Sequence, residues 1–158
     1  MSVNHRIYLD TDESAQQIAS RISLLLREKG LISDHLDAEQ LLEGGMARMV
    51  SGAQIQVSPY EPMPFDVIRE KFGISPSIQV RIRPKKEEPS FPQEDDIAIL
   101  AAALLDGISA DMALSYNFET AWLIRRTDGL ILHESPSLWP EHRLALIRSP
   151  YRRESHHL

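Results

Sequence analysis

The sequence contains no cysteine, and this absence excludes several kinds of chemistry at once. Disulfide bonds, cysteine nucleophiles and thiolate zinc sites all require a residue that the chain does not have. Glycine is also scarce, with 7 among 158 residues, and no glycine lies in the strand, loop and lysine setting of a phosphate-binding loop. The Gly-x-Ser-x-Gly elbow of the α/β-hydrolases is missing as well. These absences make an enzyme of the common classes a poor expectation.

The sequence also lacks long apolar runs and an excess of basic charge. No run approaches the roughly 18 residues of a membrane-spanning helix, and the first residues, MSVNHRIYLD, lack the basic and apolar parts of a secretory signal. We therefore expect a cytoplasmic protein that does not enter a membrane. A formal net charge of −6 argues against a nucleic-acid partner, because phosphate contacts need a clustered basic surface.

The composition and the length of the chain are those of one globular domain. Hydrophobic residues make up 42% of the chain and charged residues 25%, which are ordinary values. A chain of this length buries roughly two thirds of its unfolded surface, so it can hold a core without covalent staples. We expect a single domain over residues 1–158, with a tail that is frayed from about residue 152 onward.

Residues 113–151 carry the most consistent local signals. Polar and apolar residues alternate in ALSYNF, AWLIRR and LILHE, and Thr127-Asp128-Gly129 forms a turn between the last two stretches. The pattern predicts three short antiparallel strands followed by a brief helix. Trp122 and Trp139 are expected to pack in the core or at its rim, since large aromatic side chains mainly bury area.

The N-terminal part predicts a strand followed by an amphipathic helix. Residues 5–10 alternate in polarity. Ser14 with Gln17 then has the spacing of a capping box, and apolar residues recur at helical spacing until Gly30. Residues 37–43 predict a helix of at most two turns. Ser51-Gly52 is either a hairpin turn or a bulge in one long strand, and the hairpin is favoured.

The middle of the chain predicts a short helix, a strand and a long helix. PFDVIREKF is expected to be helical from Pro64, and Ile78, Val80 and Ile82 share one face of a half-exposed strand. Residues 85–96 predict an exposed loop whose last carboxylates begin a helix. The helix IAILAAALLDG is apolar on most sides and should lie across the sheet.

The order of elements predicts an α+β fold. A mainly antiparallel sheet with two principal helices packed on one face is the economical arrangement, and a ferredoxin-like core is one form of it. The pattern leaves the strand order open.

No catalytic, metal or cofactor site is predicted. His133 and His142 are the nearest approach to a metal pair, yet their spacing matches no zinc motif and no third ligand lies near them in the sequence. We expect both to be surface or rim histidines. Residue chemistry alone leaves a small-molecule or regulatory binding domain open, and behind it an uncharacterised hydrolase.

Three groups of residues together carry a resemblance to a known family. They are IYLDTDESAQQIA near the N-terminus, KFGISPSIQVRIRPKK in the middle, and a C-terminal series of LIRR, GLIL, Trp139 and Pro150-Tyr151. With these motifs the chain resembles the third class of Sit immunity proteins, which protect bacteria against lipoprotein toxins exchanged between kin cells. The resemblance covers most of the chain and is best from Phe72 onward, whereas residues 31–64 match poorly. It implies that the protein binds and neutralises a cognate protein toxin, and it brings no catalytic residue with it.

If the chain is such an immunity protein, two acidic stretches, residues 34–43 and 87–96, are the predicted toxin-binding surface. Their carboxylates are Asp34, Asp37, Glu39, Glu43, Glu87, Glu88, Glu94, Asp95 and Asp96. As a set they could attract a basic toxin surface, although each one singly could also serve solubility or a helix start. The alternative docking surface is the arginine group Arg81, Arg83, Arg125 and Arg126.

Overall fold

The fold is one seven-stranded sheet with helices on both faces. A computed structural model describes residues 3–32 and 36–158 of the chain. In order, the elements are β1 (His5–Asp10), α1 (Ala15–Glu28), α2 (Ala38–Leu41), β2 (Gln54–Pro59), α3 (Val67–Phe72), β3 (Ile78–Arg83), α4 (Ser90–Gly107), β4 (Asp111–Tyr116), β5 (Thr120–Arg126), β6 (Gly129–Leu132), α5 (Glu141–Leu144) and β7 (Arg152–Arg153). The strand order is β2-β3-β1-β4-β5-β6-β7, and every neighbouring pair except β6 and β7 is antiparallel. The predicted α+β class is confirmed.

The first four strands have the ferredoxin-like order. The connection from β1 through α1 to β2 leaves a gap, and β3 fills it by pairing antiparallel with both strands. The connection through α4 then places β4 on the other side of β1. This is the split βαβ arrangement, and β5, β6 and β7 extend the sheet beyond it.

One face of the sheet is covered by α1 and α4, the two principal helices predicted from the sequence. Ile7 and Leu9 of β1 belong to the same buried cluster as Ile18 and Ile22 of α1 and Leu100 of α4. Helix α1 begins at the predicted capping box, where Ser14 Oγ accepts a hydrogen bond from the backbone N–H of Gln17. No helix among the described residues has the length and apolarity needed to cross a membrane.

The second face is only partly covered. Helix α3 packs Ile68 and Phe72 against Tyr8, Ala113 and Ile124, so the helices do not all lie on one face. Over the part of this face formed by β2 and β3, the described residues place no helix, and the side chains there are half-buried or exposed.

Two helix starts differ from the predictions, each for a local reason. Helix α4 begins at Ser90 rather than at residues 94–96, with Pro92 in its first turn, where a missing N–H costs nothing. Helix α3 begins after Asp66 rather than at Pro64, because the Asp66 carboxylate accepts the backbone N–H of Arg69. Helix α2 has a single turn.

The turn at Ser51-Gly52 is present, but only one of its arms is a strand. The N–H of Met49 donates to the carbonyl of Ala53 at 2.8 Å, and Arg48 forms an isolated antiparallel bridge with Gln54. The segment before the turn therefore follows the outer edge of β2 without becoming an eighth strand within the described part of the chain.

The C-terminal tail, which we expected to be frayed, lies along the sheet. Residues 152–153 pair parallel with β6 as β7. The N–H of Leu158 donates to the carbonyl of Glu119, and the His156 ring lies 5.6 Å from the Phe72 ring. The tail is held because it supplies backbone partners and apolar cover to the second face.

Candidate functional site

A cleft of about 540 Å³ opens where β1 begins and β3 ends. His5 and Gln93 are each 1% exposed and are its most buried lining residues. The loop of residues 84–89 forms part of its lining and carries charges of both signs, and Arg48 and Arg83 add further positive charge. The cleft therefore combines a hydrogen-bonded interior with a charged rim.

His5 lines the cleft as a buried, neutral side chain. Its Nδ1 atom accepts a hydrogen bond from the backbone N–H of Asn117 at 3.2 Å, and its ring lies 4.5 Å from the Tyr116 ring. Burial lowers the pKa of His5 to about 4, because desolvation disfavours the charged imidazolium. His5 therefore anchors the turn between β4 and β5.

Tyr116 and Glu94 are joined by a hydrogen bond between their side chains in the same cleft. The Tyr116 hydroxyl donates to Glu94 Oε2 at 2.9 Å. Burial and the Glu94 carboxylate together raise the pKa of Tyr116 to about 12. The hydroxyl thus stays protonated at physiological pH, and the pair favours binding over proton transfer.

Gln93 fixes the loop of residues 84–89. Its Oε1 accepts the N–H of Lys85 at 2.7 Å, and its Nε2 donates to the carbonyls of Lys85, Glu88 and Pro89 at 3.0 to 3.2 Å. One buried amide therefore holds the backbone of Lys85, Glu88 and Pro89. Sequence reasoning missed Gln93, because a glutamine near a helix start carries no signal of burial.

The predicted acidic residues divide into three groups. Asp34 lies outside the described residues. Asp37 caps α2 through the backbone N–H of Gln40, and Asp96 accepts the N–H of Ser51 at 3.2 Å. Glu94 and Asp95 also have partners within the chain. The third group consists of exposed carboxylates, which are Glu39, Glu43, Glu87 and Glu88.

Asp95 joins α4 to α5. Its Oδ1 atom accepts from Arg143 Nε at 2.6 Å and lies 2.7 Å from His142 Nε2. Burial alone would raise the pKa of Asp95, but the hydrogen bonds from Arg143 and His142 hold this pKa below its ordinary value. Arg143 is 0% exposed and also donates to the carbonyl of Leu138 at 3.1 Å. This buried arginine was not predicted, because its partner lies 48 residues away in the sequence.

The four exposed carboxylates lie in segments near β2, because Glu39 belongs to α2, which contacts β2, Glu43 follows α2, and Glu87 and Glu88 lie in the loop after β3. Leu42 bridges to Val57, so Glu43 stands at one end of the β2 edge. A Cβ atom at Gly52 would lie 3.1 Å from Glu88 Cγ, which places the 84–89 loop at the other end. Met46 and Val50, between these ends in the chain, are 67% and 59% exposed. We call this the β2-edge surface, with members Glu39, Glu43, Met46, Val50, Glu87 and Glu88.

The β2-edge surface is not uniformly acidic. Arg48, Lys85 and Lys86 are exposed and adjoin it in sequence. Arg48 Nη1 donates to the carbonyl of Gly52 at 3.0 Å. Any attraction of a basic partner must therefore come from the arrangement of these charges, since the local net charge is small.

The histidine pair does not converge. His133 Nδ1 accepts the N–H of Ser135 at 3.0 Å, and burial lowers the pKa of His133, whereas His142 faces Asp95. Within residues 3–32 and 36–158, no group of three or more histidine, aspartate or glutamate side chains is placed to hold a metal ion.

The arginines of the alternative surface have different roles. Arg125 donates to the carbonyls of Leu105 and Ala110 and so completes the end of α4. Arg126 donates to the carbonyl of Phe72 at 3.2 Å. Arg81 and Arg83 stay exposed on the sheet face that has no helix over it.

One comparison with known proteins gives a match. A family model described as SitI3-like matches residues 3–143, from the residues before β1 into α5. No curated protein and no solved structure matches the chain. The matched range includes the cleft, the β2-edge surface and the buried pair of Asp95 and Arg143.

Proposed function

The chain belongs to the SitI3-like family, and from this membership we propose that it is an immunity protein that binds and neutralises a cognate bacterial toxin. The match over residues 3–143 is the observation that carries the proposal. Neutralisation would follow from binding alone, because a protein that covers the working surface of a toxin need not transform it. We place the encounter in the cytoplasm, where we expect the chain to reside.

The β2-edge surface is the proposed contact with the toxin. Exposed Met46 and Val50 supply an apolar centre, and the four carboxylates supply part of a polar rim, which is the usual composition of a protein interface. The Gln93 amide keeps the loop with Glu87 and Glu88 in one conformation. A fixed loop loses less entropy on binding, so it supports affinity.

Rescue of growth tests the proposal directly. Each reading frame beside the gene would be expressed in a bacterial host, alone and with this chain, and growth would be measured. We expect one neighbouring product to be toxic alone, harmless with the chain, and co-purified with it. If no toxic product is relieved and none co-purifies, the immunity function is wrong.

A variant pair connects the rescue to the proposed surface. Val50→Asp places a charge at the apolar centre and should abolish rescue, because a buried unpaired charge opposes association. Leu24→Asp is the matched control, since Leu24 is similarly exposed, at 59%, on α1. Equal rescue by both variants would remove the β2-edge surface from the proposal while leaving the immunity function standing.

The cleft favours a second candidate, a small-molecule or regulatory binding domain. Its volume of about 540 Å³ lies within the range of ligand-binding clefts. A thermal-shift screen against metabolites would test this function. A compound that raises the melting temperature of the wild type but not of Gln93→Ala would favour it, and the absence of any such compound would count against it.

A further inference from the structure

The sheet face formed by β2, β3 and the first half of β1 is polar and carries a ladder of arginines. The outward positions of β2 and β3 bear only amide, hydroxyl and guanidinium groups, and they are Gln54, Gln56, Ser58, Gln79, Arg81 and Arg83. In the strand register Gln56, Arg81 and Arg6 form one row across three strands. The chain has a net charge of −6, so this positive patch opposes the charge of the whole molecule.

Two guanidinium groups of this face, those of Arg81 and Arg6, are held in place by neighbouring amides. Arg81 Nη2 donates to Gln56 Oε1 at 2.6 Å, and Arg6 Nη1 donates to Gln79 Oε1 at 3.0 Å. An arginine has five N–H donors in a fixed fork. The exposed Arg81 guanidinium, oriented by its hydrogen bond to Gln56, can therefore bind a carboxylate with its other donors.

A small pocket lies within the ladder. It has a volume of about 220 Å³ and is lined by Asn4, Gln54, Gln56, Arg81 and Arg83. Guanidinium and amide N–H groups are the donors that bind carboxylate oxygens. The pocket is large enough for one or two acidic side chains and too small for a large cofactor.

Phe118 stands beside the ladder in a strained turn. Asn117 and Phe118 both have positive φ, at 50° and 61°, in the two central positions of the turn between β4 and β5, where Asn-Gly is the favoured pair. Phe118 is 46% exposed, and its ring centroid lies 4.4 Å from Arg6 Cζ. A bulky residue in a left-handed turn costs stability, so an exposed phenylalanine in this position calls for a reason other than folding.

We propose that Arg6, Arg81, Arg83 and Phe118, named here the arginine face, bind an acidic segment of the partner protein. The identity of the partner as a toxin rests on the proposed function, whereas the acidic chemistry rests on the face itself. Phe118 supplies an aromatic anchor next to the charges, as in many interface hot spots. A nucleic acid fits less well, because the negative field of the whole chain would repel an extended phosphate backbone.

Two variants and a control test the arginine face. Arg81→Gln removes an exposed charge, and Phe118→Gly removes the aromatic ring while placing the favoured residue in the turn. Arg148→Gln is the control, since Arg148 is an exposed arginine that lies 4.0 Å from Asp106 of α4, away from this face. Affinity would be measured for the toxin found by growth rescue, and by fluorescence anisotropy for a labelled oligoglutamate peptide.

We expect each test variant to weaken binding of both probes by about tenfold and the control to leave binding unchanged. Phe118→Gly should also keep or raise the melting temperature, because strain is relieved. This combination separates a binding role from a structural one, since loss of a structural phenylalanine would lower the melting temperature. Equal binding of both probes by test variants and control would overturn the proposal.

The two arms distinguish failure of this inference from failure of the proposed function. If the wild type relieves no toxin but binds oligoglutamate through Arg81, the immunity function fails and the acidic-ligand site stands. If rescue succeeds but Arg81→Gln and Phe118→Gly rescue fully and bind the toxin normally, the arginine face is not the toxin contact. Tighter binding of a single-stranded oligonucleotide than of oligoglutamate, with the same dependence on Arg81, would overturn the acidic-protein assignment.

Discussion

At the scale of single residues, two tryptophans lock the C-terminal segment onto the core. Trp139 Nε1 donates to the carbonyl of Trp122 at 2.8 Å, and Trp122 Nε1 donates to the carbonyl of Leu138 at 3.3 Å. Both side chains are fully or almost fully buried. Each indole therefore combines apolar burial with a satisfied donor, which is the condition for a stable buried tryptophan.

Replacing Trp139 should test this role. We expect Trp139→Ala to lower the free energy of unfolding by about 3 kcal/mol, because it leaves a cavity and removes the indole donor. Chemical denaturation of the wild type and the variant would measure the change. An unchanged stability together with lost partner binding would instead identify Trp139 as an interface residue.

His5 gives the protein a predicted dependence on pH. Its pKa is about 4 in the folded chain against 6.5 for an ordinary histidine. Between these values the unfolded chain binds more protons than the folded chain, so acid lowers stability. We expect the contribution of His5 to fall by about 3 kcal/mol as the pH drops through this window.

The comparison variant for His5 is His5→Asn, which keeps an acceptor near the Nδ1 position but does not titrate. Unfolding would be measured for both chains across the same pH series. The stability of the wild type relative to His5→Asn should decrease steadily with acid. A constant difference would show that His5 is not a buried neutral histidine.

At the scale of elements, the loop before α4 depends on one side chain. We expect Gln93→Leu to lower stability by about 2 kcal/mol, because it leaves the Lys85 N–H and three carbonyls without their amide partner. Hydrogen exchange of the amides in residues 85–89 should accelerate. Replacing Gln16, an exposed residue of α1, with leucine is the control, and equal exchange in the loop of both variants would contradict the role given to Gln93.

Helix ends illustrate how elements of this fold depend on one another. The start of α1 is capped by its own residues, Ser14 and Gln17, whereas the carbonyl of Leu105 in the last turn of α4 is bound by Arg125 from β5. The first cap can be read from a local motif. The second requires β5 to be already in place, which is why Arg125 looked like a free surface residue in the sequence.

At the scale of the whole molecule, charge should govern how fast the partner is captured. If the β2-edge surface meets a basic toxin surface, replacing both Glu87 and Glu88 with glutamine should slow association about fivefold and change dissociation little. Added salt should slow the wild type more steeply than the variant. Stability should change by less than about 1 kcal/mol.

Stopped-flow kinetics with the toxin across a salt series would measure these rates. The control replaces Glu70 of α3 and Glu141 of α5, which are also exposed but lie on other elements. If the control pair slows association equally, the effect comes from net charge alone. If neither pair changes the rate, the acidic residues have no part in docking.

The sequence by itself determined the elements and their class. Strand periodicity in β1, β3 and β4 to β6, the capping box of α1 and the apolar length of α4 are local patterns, and local patterns specify an element before it meets any other. The motifs spread through the chain were also sufficient to indicate the family.

Only the tertiary structure decided the strand order, the partners of the carboxylates and which surfaces are exposed. Asp95 meets Arg143 across 48 residues, and Arg6 and Gln79 join across 73. Pairings of this kind depend on how the sheet is assembled, and no local pattern encodes them. For that reason the sequence presented Asp95 only as a candidate docking residue, and its contact with Arg143 became visible in the fold alone. The arginine face likewise exists only because β3 lies between β1 and β2.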